Sequence, residues 1–154
     1  MGFLVWLEAT GLADWVRMSI PGYPSMIALH ALGMAIMVGL SLVLDLRLLG
    51  WFAGIPLAAL RRFFGLAWLG FGINFVSGSA LFSAQATSYI VDVIFMSKMT
   101  LVLLGAITAA ILQTAVVKSA GTGEPITGGT KAIAAIAIVI WLSAITTGRL
   151  TAYL

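Results

Sequence analysis

The stretch SMIALHALGMAIMVGLSLVL, residues 25–44, decides the fold of this chain. It has twenty residues, nearly all of them apolar, and contains no Asp, Glu, Lys or Arg. A helix needs about 20 mainly apolar residues to cross the hydrocarbon core of a bilayer. The stretch therefore predicts a membrane-spanning helix.

Three further stretches of the same kind follow along the chain, at residues 63–82, 94–117 and 132–152. All prolines fall outside the four stretches, as expected because proline disrupts helix interiors. These prolines are Pro21, Pro24, Pro56 and Pro125. The sequence therefore predicts an all-α, integral membrane four-helix bundle that forms a single transmembrane domain over residues 1–154.

The composition favours the same class of protein. Hydrophobic residues make up 62% of the chain and charged residues 8%, with a mean hydropathy of +1.14. A soluble domain carries about 25% charged residues, so a soluble globular fold is excluded. The basic residues are scattered, which argues against a nucleic-acid partner. The absence of cysteine excludes disulfides, thiolate metal sites and iron–sulfur clusters.

The segment before the first span is too short and too mixed in polarity to cross a membrane. Residues 3–18 combine apolar side chains with three charged ones, and they include Trp6 and Trp15, a residue type enriched at membrane interfaces. They predict one amphipathic helix at the membrane surface, retained because the segment lacks the basic start of a signal peptide. Residues 119–130 predict a polar hairpin loop.

The basic residues near the span ends predict an orientation. One side of the membrane would hold Arg47, Arg61, Arg62, Lys118 and Lys131, and the other Arg17, Lys98 and Arg149. Because Lys and Arg are enriched in cytoplasmic loops, the first group is predicted to be cytoplasmic and both termini to lie outside.

Small residues recur at spacings that allow close helix contact. Ala31, Ala35 and Gly39 repeat every four residues, and glycines recur through residues 63–82. Two interpretations remain open, namely packing within one bundle and contact with other chains.

His30 is the single histidine, and it lies inside the first span. It is a candidate axial ligand for haem iron, and the small residues Ala31 and Gly33 would leave room for a flat macrocycle. The second ligand would be Met99 or Met96, a residue of another chain, or none. The alternative is a histidine hydrogen-bonded within the bundle that only stabilises packing.

A methionine pattern around the histidine suggests a different metal. Met26, His30, Met34 and Met37 share one helix face. Thioether and imidazole ligands suit Cu(I), so His30, Met26 and Met34 are candidate copper ligands. Methionine is also a common gap-filler in apolar cores, so ordinary packing is the competing interpretation.

Five polar side chains are predicted to converge at one depth, near the outer surface. They are His30, Asn74, Ser77, Lys98 and Arg149. Such a cluster would hold the propionates of a haem or the polar head of a quinone. The alternative is that Lys98 and Arg149 extend to the lipid headgroups.

At the other end of the first span, Asp45 and Arg47 precede Arg61 and Arg62. This pattern predicts a cluster of ion pairs at the membrane interface that anchors the connection between the first two spans. A proton-relay role for Asp45 is the alternative.

Several short motifs resemble an uncharacterised family of small bacterial inner-membrane proteins, known as a domain of unknown function. The motifs are Tyr23-Pro24, His30-x-Leu32-Gly33, Asp45-Leu46-Arg47-Leu48-Leu49-Gly50, Ser77-Gly78-x-x-Leu81-Phe82, Lys98-Met99 and Gly148-Arg149-x-x-Ala152-Tyr153. The resemblance implies a multi-pass protein of the bacterial inner membrane, distantly similar to copper-resistance D-type membrane proteins and four-helix b-type cytochromes. A single histidine departs from the di-haem pattern and rules out a bis-histidine haem within one subunit.

Together these features predict a haem b-binding electron-transfer or quinone-interacting subunit of a redox complex. A cofactor-free structural subunit and a copper-handling or transport protein are the alternatives. A homo-oligomer or a place in a larger membrane complex is expected, because the chain has few sites of its own. No nucleotide-binding loop, paired-histidine metal motif or hydrolytic triad is present, so catalysis by this chain alone is not expected.

Overall fold

The computed structural model describes residues 1–151, whose regular elements are all helical. They are α1 (Gly2–Glu8), α2 (Gly11–Met18), α3 (Gly22–Leu48), α4 (Leu57–Leu60), a 3-10 turn (Arg61–Phe63), α5 (Phe64–Ala84), α6 (Ala86–Tyr89), α7 (Val93–Thr122) and α8 (Gly128–Leu150). Four helical segments of the described residues are long and apolar enough to cross a membrane: α3, the continuous segment from α4 to α5 (Leu57–Ala84), α7 and α8. The predicted all-α four-helix bundle is confirmed.

The spanning helices extend beyond the apolar stretches that predicted them. The helix α3 covers three residues before and four after residues 25–44, and α7 continues past residue 117 to Thr122. Helical hydrogen bonding continues through polar residues until a cap stops it. The Asp92 side chain accepts a hydrogen bond from the backbone N–H of Ile94 at the start of α7, and Gly123, with φ of 72°, ends it. The predicted end of the fourth span at residue 152 lies outside the described residues.

The four spans form two antiparallel hairpins, α3 with α5 and α7 with α8, and contact between α3 and α8 joins them. The end of the bundle that carries α1, α2 and α6 is called here the α1–α2 end, and the end with loops 49–56 and 123–127 the loop end. Two apolar core clusters follow one another along the axis. One surrounds Met37 and Trp141, and the other, nearer the loop end, surrounds Leu112 and Val116.

The segment before the first span forms two helices instead of the predicted single helix. The chain breaks at Ala9–Thr10, because the Thr10 side chain accepts a hydrogen bond from the backbone N–H of Ala13 and so caps a new helix. Ala13 and Val16 are fully buried, and Val16 packs with Ala80 of α5. The segment is therefore part of the bundle's packing and does not lie on lipid alone.

The outer surface of the bundle is apolar. Between 22% and 33% of the residues in the most apolar window of each span are buried, so most residues of these windows are at least partly exposed. Large side chains such as Phe75, Val76, Leu103 and Val139 are more than 60% exposed. Such a surface is stable only in contact with lipid or with another apolar protein surface.

Candidate functional site

The candidate site begins at the contact between α3 and α5, where His30 and Asn74 bond each other's backbone. The His30 Nδ1 atom lies 3.0 Å from the carbonyl oxygen of Asn74, and the Asn74 side-chain amide donates to the carbonyl oxygen of His30 at 2.8 Å. Because a carbonyl oxygen only accepts, Nδ1 carries the hydrogen and Nε2 keeps its lone pair. Within residues 1–151, Nε2 has no hydrogen-bond partner, so it is available to accept a hydrogen bond or bind a metal.

Two glycines allow the helices to come close enough for these bonds. A Cβ atom on Gly33 would lie 2.5 Å from the Asn74 backbone nitrogen and 2.6 Å from the Gly70 carbonyl oxygen. A Cβ atom on Gly78 would lie 2.9 Å from Cε1 of His30. Gly33 thus sets the separation between α3 and α5, and Gly78 provides the space for the imidazole ring.

Lys98 reaches the same region from α7. Its alkyl chain packs on α8, where a Cβ atom on Gly148 would lie 3.4 Å from Cε and 3.8 Å from Nζ. The side chain is half-buried, and its ammonium group makes no hydrogen bond or ion pair within residues 1–151. A cation without a protein partner among apolar helices is costly, which makes it a candidate for contact with a ligand.

A small cavity joins these groups in the interior of the bundle. Side chains from all four spans line it: His30, Met34, Met37, Val38, Phe71, Asn74, Lys98, Val102, Trp141, Ala144 and Ile145. The region in which the centre of a water molecule fits measures about 20 Å³, and one water needs about 10–15 Å³ by this measure. The cavity therefore has room for about one water molecule.

The structure brings only part of the predicted cluster together. His30, Asn74 and Lys98 line one cavity, and the Ser77 hydroxyl lies 3.4 Å from His30 Nδ1. Arg149 lies on the exposed surface of α8, although its neighbour Gly148 contacts Lys98. It is not among the residues that line the cavity, so it does not join the cluster.

The proposed second axial ligands do not reach the cavity either. Met99 is 45% exposed and Met96 is 44% exposed, because Lys98 takes the inward position on this part of α7. One residue further along a helix turns by about 100°, so Met99 cannot share the direction of Lys98.

A haem does not fit this arrangement of residues. The orientation of His30 suits ligation, since a ligating imidazole usually donates its other N–H to an acceptor. The space predicted from Ala31 and Gly33 is, however, not free. Ala31 is exposed on the outer surface of α3, and the α5 backbone fills the space above Gly33. A macrocycle is many times larger than the water-sized cavity beside His30.

The predicted copper-binding face is divided between two regions. Met34 lines the cavity with His30, whereas Met26 packs with Val16 and lines an apolar groove on the other side of the α3–α5 contact. Within residues 1–151, no three His, Cys, Asp or Glu side chains form a group that could hold a metal ion.

The ion-pair cluster predicted around Asp45 is wrong. Asp45 is 1% exposed and makes no ion pair with Arg47, whose guanidinium donates to the carbonyl oxygens of Ile55 and Ala53 at 2.6 and 3.2 Å. The sequence suggested a pair because the two residues lie close in the chain. A helix turns by about 200° over two residues, so Asp45 faces the interior while Arg47 faces the loop.

Sequence reasoning missed the link between Trp68 and Gln113, and it noted Gly78 and Gly148 without finding the side chains that they contact. The Trp68 indole N–H donates to the Gln113 side-chain oxygen at 2.9 Å and links α5 to α7. Gly78 and Gly148 make space for His30 and Lys98, respectively. The signal available in the sequence was a glycine in a span that also carries polar residues. The residue that each glycine contacts on the neighbouring helix can be identified only from the three-dimensional structure.

No family model, curated protein or solved structure matches the chain. The resemblance to copper-resistance D-type membrane proteins and b-type cytochromes therefore stays a prediction.

Proposed function

We propose that this protein is a membrane subunit that binds the polar head of a quinone and serves a redox assembly. The observation that supports the proposal is that His30 and Lys98 line the same interior cavity. Within residues 1–151, neither His30 Nε2 nor the Lys98 ammonium group has a hydrogen-bond partner, although both lie among apolar helices. Polar groups of this kind in a membrane interior are expensive and are usually functional.

The Lys98 ammonium group and the His30 imidazole can form hydrogen bonds with a quinone oxygen in its oxidised and its reduced form, respectively. A quinone carbonyl only accepts hydrogen bonds, and the Lys98 ammonium group is a donor. A quinol hydroxyl can donate, and His30 Nε2 is an acceptor when Nδ1 carries the hydrogen. The site therefore offers one donor and one acceptor to the oxygen atom whose character changes on reduction.

Entry of the head requires the interior cavity to widen, because it now admits about one water molecule. Met34 and the Lys98 alkyl chain are the flexible parts of its lining, and unbranched side chains change rotamer at low cost. The His30–Asn74 side of the cavity is held by two hydrogen bonds and stays fixed.

Binding of a short-chain benzoquinone to the purified protein tests the proposal. Quenching of tryptophan fluorescence reports occupancy, since Trp141 lines the cavity. The variants Lys98→Met and His30→Leu are each expected to weaken binding by about tenfold, the effect of one lost hydrogen bond of about 1.4 kcal/mol. Lys118→Met is the matched control because Lys118 is exposed on the loop-end half of α7. Equal affinity in all variants with intact helicity overturns the proposal.

An absorption spectrum of the same preparation distinguishes the haem alternative. A Soret band in protein made with adequate haem, abolished by His30→Leu, would replace the quinone by haem b. A colourless protein that binds no quinone would favour the cofactor-free structural subunit.

We also propose that the chain works as a homo-oligomer or within a larger complex in a bacterial inner membrane, with both termini outside the cytoplasm. The stripe Ala31, Ala35 and Gly39 supports an association, because all three residues are exposed and no side chain covers Gly39. The basic residues at the loop end, which include Arg61, Arg62 and Lys131, support the orientation.

A further inference from the structure

The loop-end half of α3 contains a carboxyl group without a partner. Asp45 is 1% exposed, its Oδ2 atom is buried, and neither carboxyl oxygen receives a hydrogen bond from residues 1–151. It lies beside Leu44 and Leu48, which belong to the buried apolar cluster around Leu112 and Val116. An ionised carboxylate in such surroundings would lack both water and a counter-charge.

The charged groups of the neighbouring elements do not neutralise a negative charge on Asp45. The charged groups at this end are Arg47 on α3, Arg61 and Arg62 before α5, Lys118 on α7, Glu124 in the following loop and Lys131 on α8. Arg47 donates to loop carbonyl oxygens, and the other five are exposed. None forms an ion pair with Asp45.

A second unsatisfied group lies one helical turn away on the same face of α3. Ser41 is 4% exposed, and its hydroxyl has no partner within residues 1–151. Serines elsewhere in these spans, such as Ser77 and Ser79, donate to the carbonyl oxygen four residues earlier. Ser41 does not, so its hydroxyl remains available near Asp45.

We propose that Asp45 is a buried carboxylic acid that binds and exchanges a proton inside the bundle, with Ser41 as its neighbouring hydroxyl. A proton is the ligand that fits this site, because it binds to a single oxygen atom and neutralises the Asp45 carboxylate. A metal cation such as Ca²⁺ needs six to eight oxygen ligands. Among the buried side chains of residues 1–151, only Asp45 and Ser41 offer oxygen atoms without a partner. The proton site is independent of the quinone site, since 15 residues of α3, about 22 Å, separate Asp45 from His30.

The first test is reaction with dicyclohexylcarbodiimide, an apolar reagent that attacks protonated carboxyl groups within membranes. The acid adds across one C=N bond, its proton moves to nitrogen, and acyl transfer from oxygen to nitrogen gives a stable N-acylurea without a leaving group. The other four carboxylate side chains, Glu8, Asp14, Asp92 and Glu124, are internal controls. Peptide mass spectrometry of the reconstituted protein is expected to find the adduct on Asp45 at least tenfold above each control. A water-soluble carbodiimide with an added amine should reverse that preference.

The second test asks whether the proton exchanges. Infrared spectra of the reconstituted protein should contain the C=O band of a protonated carboxylic acid, which shifts in D2O and is missing in Asp45→Asn. Asp92→Asn is the matched control and should retain the band. An Asp45 left unlabelled while the control carboxylates react, or a band that never shifts in D2O, overturns the proposal. Protection of Asp45 by Na⁺ at constant pH would overturn it in favour of a cation site.

Discussion

His30 and Asn74 bond each other's backbone carbonyl groups across the α3–α5 interface, through Nδ1 at 3.0 Å and the side-chain amide at 2.8 Å. Each side chain thereby donates one hydrogen bond to the backbone of the neighbouring helix. Asn74→Ala is expected to lower the free energy of unfolding by about 1 kcal/mol, within the range measured for polar contacts between membrane helices. Unfolding in mild detergent measures this loss. Ser79→Ala is the control, since the Ser79 hydroxyl bonds only within its own helix, and an equal loss there would contradict the prediction.

Two glycines of α3 are predicted to respond in opposite ways to the same substitution. Gly33→Ala places a methyl group 2.5 Å from the Asn74 backbone nitrogen, so the helices must separate, at a cost of about 1–3 kcal/mol. Gly39→Ala meets nothing within 4 Å and should be neutral or stabilising, because alanine favours helix. Thermal unfolding of both variants checks the pair. Similar melting temperatures would mean that Gly33 does not set the helix separation.

The contact between α1 and α6 is predicted to weaken in acid. The Glu8 carboxylate accepts hydrogen bonds from the backbone N–H and the hydroxyl of Thr87, both at 2.8 Å. These bonds, with a smaller contribution from Arg17, hold the pKa of Glu8 below its ordinary value. A group whose pKa is lowered by folding stabilises the folded state above its unfolded-state pKa, about 4.3 for Glu, and this contribution disappears as the pH falls through the folded-state pKa. The protection of α1 amides, measured against their intrinsic exchange rates at each pH, should therefore fall at low pH.

Thr87→Val and Thr87→Ser separate the hydroxyl contribution from the rest of this contact. Valine keeps the backbone N–H but removes the hydroxyl donor, so the pKa of Glu8 should rise toward its ordinary value. Serine keeps the donor and should leave that pKa low. NMR titration of the Glu8 side-chain carbon measures both variants, and an unchanged pKa in Thr87→Val would exclude the hydroxyl as a cause.

Reporter fusions should place the two ends of the bundle on opposite sides of the membrane. A reporter after Leu154 is expected to be active outside the cytoplasm, and one inserted at Thr122–Glu124 inside it, because Lys and Arg are enriched at the loop end. Cytoplasmic activity of the Leu154 fusion would invert the proposed orientation. The interior cavity beside His30 would then lie in the cytoplasmic half.

The exposed stripe on α3 predicts a contact with another chain. Ala35→Leu adds bulk to this surface without touching the bundle interior, since Ala35 is exposed. Close approach through small residues should then fail, and cross-linking or native mass spectrometry in mild detergent should show fewer oligomers. Leu69→Ala, on the exposed side of α5, is the control. Monomer alone in the unmodified protein would contradict the proposal.

Part of the candidate site could be predicted from the sequence. His30, Asn74 and Lys98 stand out in the sequence because polar groups in apolar spans are few and must be satisfied internally. The direction of each side chain could not be predicted. Met99 and Arg149 lie at suitable depths but point outward, and Asp45 points inward although an interfacial ion pair was expected. In spans that are apolar on every side, hydrophobic periodicity does not show which side of the helix faces the interior of the bundle.

The sequence alone determined that four helices cross the membrane, because the transfer of long apolar segments into lipid depends on composition and length and hardly on neighbours. Only the tertiary structure decided which faces of those helices meet. That choice depends on helix surfaces that fit each other to within a few tenths of an ångström. Examples are the approach of Gly33 to Asn74 and the space that Gly78 leaves for His30. These contacts join residues more than forty positions apart, and they arise from side-chain packing, since lipid supplies no hydrophobic force to bring helices together.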